Sequence, residues 1–145
     1  MFFRILEKDD LLELNFTRYE KITFLIVGTN IDINSSINYF TNLTTLMFEN
    51  DYNNPIDISQ LTNLKYLFLR GEFDQEINLS TLTNLEYLVF GKKYNQKTDL
   101  QNLHNLLYLY FEYDKYNKLT RISHLENLVK INGKKIFNKY EYPFY

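Results

Sequence analysis

The chain has 145 residues, a formal net charge of −2 and an aromatic content of 17%, which is enough for one domain with a packed core. The near-neutral charge gives no electrostatic basis for binding nucleic acid or an anionic membrane surface. The sequence has no cysteine, so disulfides, thiol nucleophiles and cysteine-based zinc sites are excluded.

The start of the chain lacks the features of a targeting or membrane segment. Charged residues appear from Arg4 onward, which argues against a signal peptide. No apolar run approaches the roughly 18 residues that a membrane helix requires. We therefore expect a cytoplasmic protein that does not bind a membrane.

Residues 1–21 are predicted to form an N-terminal cap. Asp9 and Asp10 occupy the stretch where later parts of the chain carry an apolar residue. The end units of repeat proteins depart from the pattern in this way because one side of their core faces water. Within the cap, Met1–Leu6 is expected to add a strand at the edge of a sheet.

From Ile22 onward the sequence repeats every 21 residues, and Leu-Thr-Asn-Leu at 61–64 returns at 82–85. This period is typical of one coil of a solenoid. Three apolar columns are spaced by three and then two residues, a pattern that places a short strand in each coil. The columns are Ile22, Leu43, Leu64, Leu85, Leu106 and Leu128; Leu25, Leu46, Leu67, Leu88, Leu109 and Ile131; and Val27, Phe48, Leu69, Phe90 and Phe111. Residues 22–127 are therefore predicted to form about five coils whose strands stack into one parallel, concave sheet.

The return side of each coil is predicted to lack long helices. An apolar or aromatic residue follows each strand, and then come Asn, Asp and Gln, whose side chains bond nearby backbone and turn the chain. About ten residues remain before the next strand, so we expect extended segments or single turns of 3₁₀ helix on the convex side. The predicted fold is a mostly-β, right-handed solenoid with capped ends.

One polar column lies just before each strand, and it consists of Asn42, Asn63, Asn84, Asn105 and Asn127. A catalytic site does not need five copies of one amide, so we interpret these residues as structural. Each amide is expected to bond loop backbone in its own coil and in the next coil.

Residues 128–145 are predicted to form the last strand and a C-terminal cap. Asn132-Gly133 between apolar-containing runs is a strong signal for a two-residue hairpin, since both positions require positive φ. The aromatic tail Tyr140–Tyr145 matches no column. It either completes the cap or docks on another molecule, which includes self-assembly.

These repeats resemble the leucine-rich-repeat superfamily over about 22–136. Leu-Thr-Asn-Leu-Lys-Tyr-Leu at 61–67 looks like the short repeats of the phosphatase-regulator type, and Val129–Ile136 is similar to the segment that follows the last strand in such proteins. The resemblance implies a solenoid of the α/β leucine-rich-repeat type that recognises proteins.

A closer resemblance concerns the residue that follows each strand. Phe73-Asp-Gln and Tyr94-Asn-Gln resemble the Phe-Asn-Ile/Gln-Pro signature of FNIP repeats, and Tyr52-Asn-Asn-Pro55 keeps the proline. FNIP repeats are abundant in social amoebae and giant amoeba viruses, so the resemblance implies a viral or amoebal protein of the host cytoplasm or the virion. The standard repeat Asn is replaced by Asp51, Glu72 and Lys93, which predicts a different geometry after the strand.

The strand positions that point away from the core predict an aromatic concave face. One column contains Tyr66, Tyr87 and Tyr108, which should form a ladder because parallel strands are about 4.8 Å apart. Such apolar, Tyr-rich surfaces are typical of protein interaction sites. Strand preference alone also explains these residue types, and the sequence leaves the two explanations open. The predicted partner-binding residues are Met47, Tyr66, Phe68, Arg70, Tyr87, Val89, Tyr108 and Tyr110.

Other chemistry finds little support. The face sets Lys65 and Arg70 against three glutamates, whereas single-stranded nucleic acid requires a basic groove. His104 and His124 lie in return-side columns without a nucleophile or metal ligands at a recognisable spacing. The column Asp57, Asn78 and Asp99 suits turns better than a cation site. No catalytic residue, metal or cofactor is predicted.

The leading functional hypothesis is a non-catalytic module that binds a protein through the aromatic concave face. The alternative is a structural subunit of a larger assembly such as a virion, which would also use its tail and edges. A substrate receptor of a ubiquitin ligase is a weaker alternative, because residues 1–21 are too short for an F-box.

Overall fold

The computed structural model describes residues 1–5, 19–29, 31–112, 124–132 and 134–135. Within these ranges eight strands form one sheet, ordered as they occur along the chain. The strands are β1 (Phe2–Ile5), β2 (Phe24–Val27), β3 (Thr45–Phe48), β4 (Tyr66–Leu69), β5 (Tyr87–Phe90), β6 (Tyr108–Phe111), β7 (Lys130–Ile131) and β8 (Lys134–Lys135). Strands β1 to β7 are parallel, and β8 runs antiparallel to β7. The predicted mostly-β solenoid with one parallel sheet is confirmed.

The register of the sheet matches the predicted columns. Leu46, Leu67 and Leu88 are Cα partners on consecutive strands, 21 residues apart. Each of them is fully buried, as are Leu43, Leu64 and Leu85 in the column before. One inward leucine per coil at each level therefore builds a continuous core along the solenoid.

Both ends of the described sheet contain the strands expected there. The edge strand predicted within Met1–Leu6 is β1, which pairs with β2 through Phe2 and Phe24. At the other end Ile131 pairs with Lys134 across a two-residue connection, and Asn132 has a φ of 48°, as such a hairpin turn requires. Residues 6–18 of the predicted N-terminal cap and the tail from 136 to 145 lie outside the described residues.

Between β2 and β6 the return side carries one short 3₁₀ helix, Ile37–Tyr39, and is otherwise without regular secondary structure over the residues that the structure describes there. Its turns are held by Asp57, Asn78 and Asp99, whose Oδ1 atoms accept the backbone N–H two residues later at 2.9, 3.0 and 2.8 Å. This column forms turns, as the sequence indicated, because a short side chain that bonds its own backbone reverses the chain in few residues.

An aromatic stack fills the core beside the strands. Tyr52, Phe73 and Tyr94 follow three consecutive strands, and their ring centroids are 6.4 and 6.2 Å apart with planes within 10°. Phe48 and Phe90 extend the stack, at 4.4 Å from Tyr52 and 4.3 Å from Tyr94 respectively. Each such ring pair typically contributes about 0.5–1.5 kcal/mol beyond burial, so the stack holds neighbouring coils in register.

The asparagine column links each coil to the one before it. Every Nδ2 donates to a backbone carbonyl 22 or 23 residues earlier, at 2.8–2.9 Å. The donors are Asn42, Asn63, Asn84, Asn105 and Asn127, and the acceptors are Glu20, Thr41, Thr62, Thr83 and His104. The expected bond to the next coil is replaced by this bond to the preceding one.

The polarity of the backbone explains the direction of these bonds. Backbone N–H groups at the strand entry donate to the preceding coil, as Lys65 does to the Thr44 carbonyl at 2.9 Å. Carbonyls of the preceding coil therefore face the asparagine amide, whereas the next coil presents donors. Side-chain oxygens, which accept hydrogen bonds, bond instead to donors of the next coil. Asn53 Oδ1, for example, accepts the backbone N–H of Asp74, in the next coil, at 2.9 Å.

Candidate interaction surface

The outward positions of the strands bring a row of tyrosines together. Tyr66, Tyr87 and Tyr108 are Cα partners on β4, β5 and β6. Their ring centroids are 6.5 and 5.4 Å apart, and the ring planes are inclined by 37° and 33°. The sequence predicted this ladder, but its rings are tilted rather than stacked flat because the spacing of the strands leaves the side chains room to lean.

A second row lies one step along the strands and joins the first. Met47, Phe68, Val89 and Tyr110 are Cα partners on β3 to β6. The Phe68 ring lies 5.7 Å from the Tyr87 ring, so the two rows form one cluster. We use the name aromatic face for the five outward rings of the two rows on β4 to β6, which are Tyr66, Phe68, Tyr87, Tyr108 and Tyr110.

The outer members of the aromatic face are the most accessible. Tyr66 is 39% and Tyr110 is 40% exposed, which is unusual for large hydrophobic side chains in this structure. Phe68, Tyr87 and Tyr108 are half-buried, as is the neighbouring Met47. A partner could therefore bury substantial ring surface at little cost in side-chain entropy, because the rings already restrain one another.

Val89 departs from the predicted contact set, because it is only 4% exposed. Its Cα partners Phe68 and Tyr110 carry longer side chains on both sides, and these cover the short valine. Val89 therefore shapes the floor of the face and offers a partner almost no surface.

Sequence patterns placed Phe24 in the column of the tyrosines but missed a further member of it, Phe2. Phe2 and Phe24 occupy the same column on β1 and β2, and their rings meet edge-on at 5.0 Å. Phe2 is 56% exposed. Side-chain alternation along Phe2-Phe3-Arg4 is the signal that could have assigned Phe2 to the outward face. The register of β1 could not be inferred from the 21-residue repeat, because this edge strand lies outside the repeat.

Ion pairs border the aromatic face at both ends of the strands. Before the strands, Lys65 Nζ lies 2.8 Å from Glu86 Oε1, and the hydrogen bond that Lys65 donates to this carboxylate raises the pKa of Lys65. After the strands, Arg70 Nε lies 3.3 Å from Glu112 Oε1. Each pair balances its own charge, so the surface between them is apolar and aromatic rather than strongly charged.

The Arg70–Glu112 pair spans two coils. Its strand-end column contains Gly91 between the two residues, and the missing side chain opens the path between them. Glu112 Oε2 also accepts the backbone N–H of Gly71 at 3.2 Å, so this carboxylate is fixed by two donors. No local sequence pattern indicates this arrangement, because its partners are 42 residues apart.

The remaining candidates lie on the return side. His104 is exposed, and a ring nitrogen of the partly buried His124 lies 3.1 Å from the Leu100 carbonyl oxygen. Among the described residues no group of three or more His, Cys, Asp or Glu side chains is arranged to hold a metal ion. The same part of the chain contains no helix that is long and apolar enough to cross a membrane.

Comparison with known proteins supports the fold. Neither a protein-family model nor a curated protein matches the sequence. The structure is similar to the crystal structure of an internalin C2 (inlC2) from Listeria monocytogenes str. 4b F2365, with a TM-score of 0.51 and 19% identity. The match covers 83% of this chain and 56% of that chain, so this chain spans little more than half the length of its neighbour. The fold is thus a solenoid of the leucine-rich-repeat type.

Proposed function

We propose that this chain is a non-catalytic protein-interaction module whose partner binds the aromatic face. The carrying observation is the set of ring contacts that joins Tyr66, Phe68 and Tyr108 to Tyr87, with Tyr66 and Tyr110 left 39% and 40% exposed at the outer positions of the face. Tyrosine combines a large apolar area with a polar hydroxyl, which is why it is enriched at the energetic centres of protein interfaces. The bordering ion pairs would form the polar rim.

The test introduces charge at the centre of the face. A Tyr87→Asp/Tyr108→Asp variant should lose capture of the partner from an amoebal lysate, since two carboxylates would be desolvated against apolar surface. The matched control is Thr62→Asp/Thr83→Asp, which adds the same charge to exposed loop positions before the strands. Circular dichroism would establish that both variants are folded. Unchanged capture by the tyrosine variant would refute the proposal.

A structural subunit of a larger assembly is the second candidate. The observation that favours it is the exposure of Met1 and Phe2, 53% and 56%, on and beside the edge strand β1. These apolar side chains lie at the N-terminal end of the sheet, where a neighbouring subunit could cover them. Size-exclusion chromatography with light scattering on the full chain and on a chain ending at Phe137 separates the two candidates: a monomer in both cases refutes the assembly role.

The FNIP subtype, and with it a viral or amoebal source, belongs to the same set of proposals. Its support is the residue after each strand: Tyr52, Phe73 and Tyr94 are all buried and stacked on one another. An aromatic side chain at this position is therefore a building element of these coils. Repeat-by-repeat comparison with a solved FNIP protein would test the subtype.

A further inference from the structure

The size of the aromatic face limits what can occupy it. The face covers three strands, β4 to β6, at about 4.8 Å each and about 13 Å along each strand, which gives a projected area of roughly 190 Å². A standard interface between folded proteins requires about 800 Å² per partner. The face alone is therefore too small for a second copy of this chain, and its area fits a short extended segment.

The spacing of the rings points to one conformation of such a segment. Phe68 and Tyr110 are two coils apart in the same column, and the short, buried Val89 lies between them. Two strand spacings are about 9.6 Å, while a polyproline II helix advances about 9.3 Å in its three-residue turn. A β-strand repeats its side-chain direction about every 6.7 Å, which does not match. Every third residue of a polyproline II segment would meet equivalent positions in every second coil.

The polar groups beside the rings suit an uncharged backbone. The side chain of Arg70 is 47% exposed, and its Nε is held by Glu112. Its charge is thereby balanced, and its terminal nitrogens bond to none of the described residues. A neutral carbonyl oxygen fits these donors better than a second carboxylate would. Polyproline II segments leave their backbone carbonyls unpaired and exposed.

We propose that the aromatic face binds a proline-containing segment in the polyproline II conformation, laid across β4 to β6 along the stacking direction. Prolines pack against Phe68, Tyr87 and Tyr110, and a carbonyl of the segment accepts from Arg70. Grooves lined by aromatic side chains recognise such segments because the polyproline II helix is already ordered before binding. This inference rests on the function proposed above and names its partner class.

The test uses the full chain labelled with ¹⁵N and titrated with acetylated, amidated decaproline. A Gly-Ser decapeptide of the same length is the control peptide. We expect saturable shifts at the Arg70 Nε–H and at backbone amides of β4 to β6 with decaproline only. Tyr110→Ala should weaken binding about tenfold and Arg70→Met about threefold. The control variant His104→Ala, on the return side, should change binding less than about twofold.

Equal shifts with the Gly-Ser peptide would overturn the inference, and so would decaproline binding that Tyr110→Ala and Arg70→Met leave unchanged. Absence of any shift with decaproline also overturns it. If Tyr87→Asp/Tyr108→Asp still abolishes capture of a protein partner in that case, only the partner class is wrong. If capture is unaffected as well, the proposed function fails with it.

Discussion

Arg70 and Glu112 form an ion pair, although one complete coil of the solenoid lies between their two coils. They are 42 residues apart in the chain, and Arg70 Nε lies 3.3 Å from Glu112 Oε1. Two coils of a parallel sheet separate backbones by about 9.6 Å, so the pair can form only if the intervening coil leaves the space open. Gly91 does so. Its backbone also packs closely on Gly71, which has a φ of +59° and donates its N–H to Glu112 Oε2.

Gly91→Ala should therefore be strongly destabilising. A Cβ at this position would lie 2.4 Å from the Gly71 nitrogen and 2.5 Å from the Arg70 carbonyl carbon, and backbone atoms cannot rotate away. We expect a loss of about 3 kcal/mol in the free energy of unfolding, at the upper end of overpacking effects. Urea denaturation followed by circular dichroism measures it.

The matched variant is Glu112→Gln, which removes the charge and retains the space. An exposed ion pair contributes at most about 1 kcal/mol, so this variant should cost much less than Gly91→Ala. Equal losses would mean that the ion pair, and not the backbone contact, makes glycine necessary at this position.

The sequence predicts the features that repeat in every coil, but not the contacts that occur once. The leucine columns repeat every 21 residues, so the sheet, its register and the tyrosine row followed from spacing alone. The Arg70–Glu112 pair depends on the conformation of Gly71 and on a contact across two coils, which no local pattern encodes. The burial of Val89 likewise depends on how its longer neighbours lean, and periodicity carries no information about that.

The two buried tyrosines of the aromatic stack should respond oppositely to loss of their hydroxyl groups. The Tyr94 hydroxyl bonds to the hydroxyl of Thr98, which is also buried. The Tyr52 hydroxyl is buried without a partner among the described residues, because Ile56 occupies the position that corresponds to Thr98. Burial accordingly raises the pKa of Tyr52 above its ordinary value.

An unsatisfied buried hydroxyl costs about 1–3 kcal/mol. Tyr52→Phe should therefore stabilise the chain by about 1 kcal/mol, and Tyr94→Phe should destabilise it by a similar amount because the buried Thr98 hydroxyl loses its bond to Tyr94. Both changes keep the ring and its stacking, so each serves as the control for the other. Thermal unfolding of the two variants in one buffer is the measurement. A change of the same sign in both would show that the hydroxyl groups do not decide the effect.

The contribution of the asparagine column to stability should depend on the N–H donor of each amide and not merely on the presence of a polar side chain. Asn84 Nδ2 donates to the Thr62 carbonyl at 2.9 Å. Asn84→Ala should cost about 1 kcal/mol, and Asn84→Asp should cost more because a carboxylate would then face a carbonyl oxygen. Thr83→Ala, at the exposed neighbouring position, should stay within about 0.5 kcal/mol of the parent chain. Equal stability of Asn84→Asp and the parent chain in urea would contradict the assigned hydrogen bond.

The turn at Asp57 makes a pH-dependent contribution to stability whose sign can be stated. The backbone N–H of Ser59, followed by the Ser59 side chain, lowers the pKa of Asp57 below its ordinary value. A carboxylate whose pKa is lower in the folded state stabilises that state above the unfolded pKa of about 3.9, and loses this contribution as the pH falls through the folded pKa.

NMR titration of the Asp57 carboxyl carbon should therefore give a midpoint below that of an unfolded aspartate. Ser59→Ala should move the midpoint only part of the way back, because the backbone donor remains. Asp57→Asn should reduce the loss of stability on acidification while keeping the turn, as Asn78 does in the next coil with the same bond at 3.0 Å. A midpoint at or above the ordinary value would show that the turn does not stabilise the charged form.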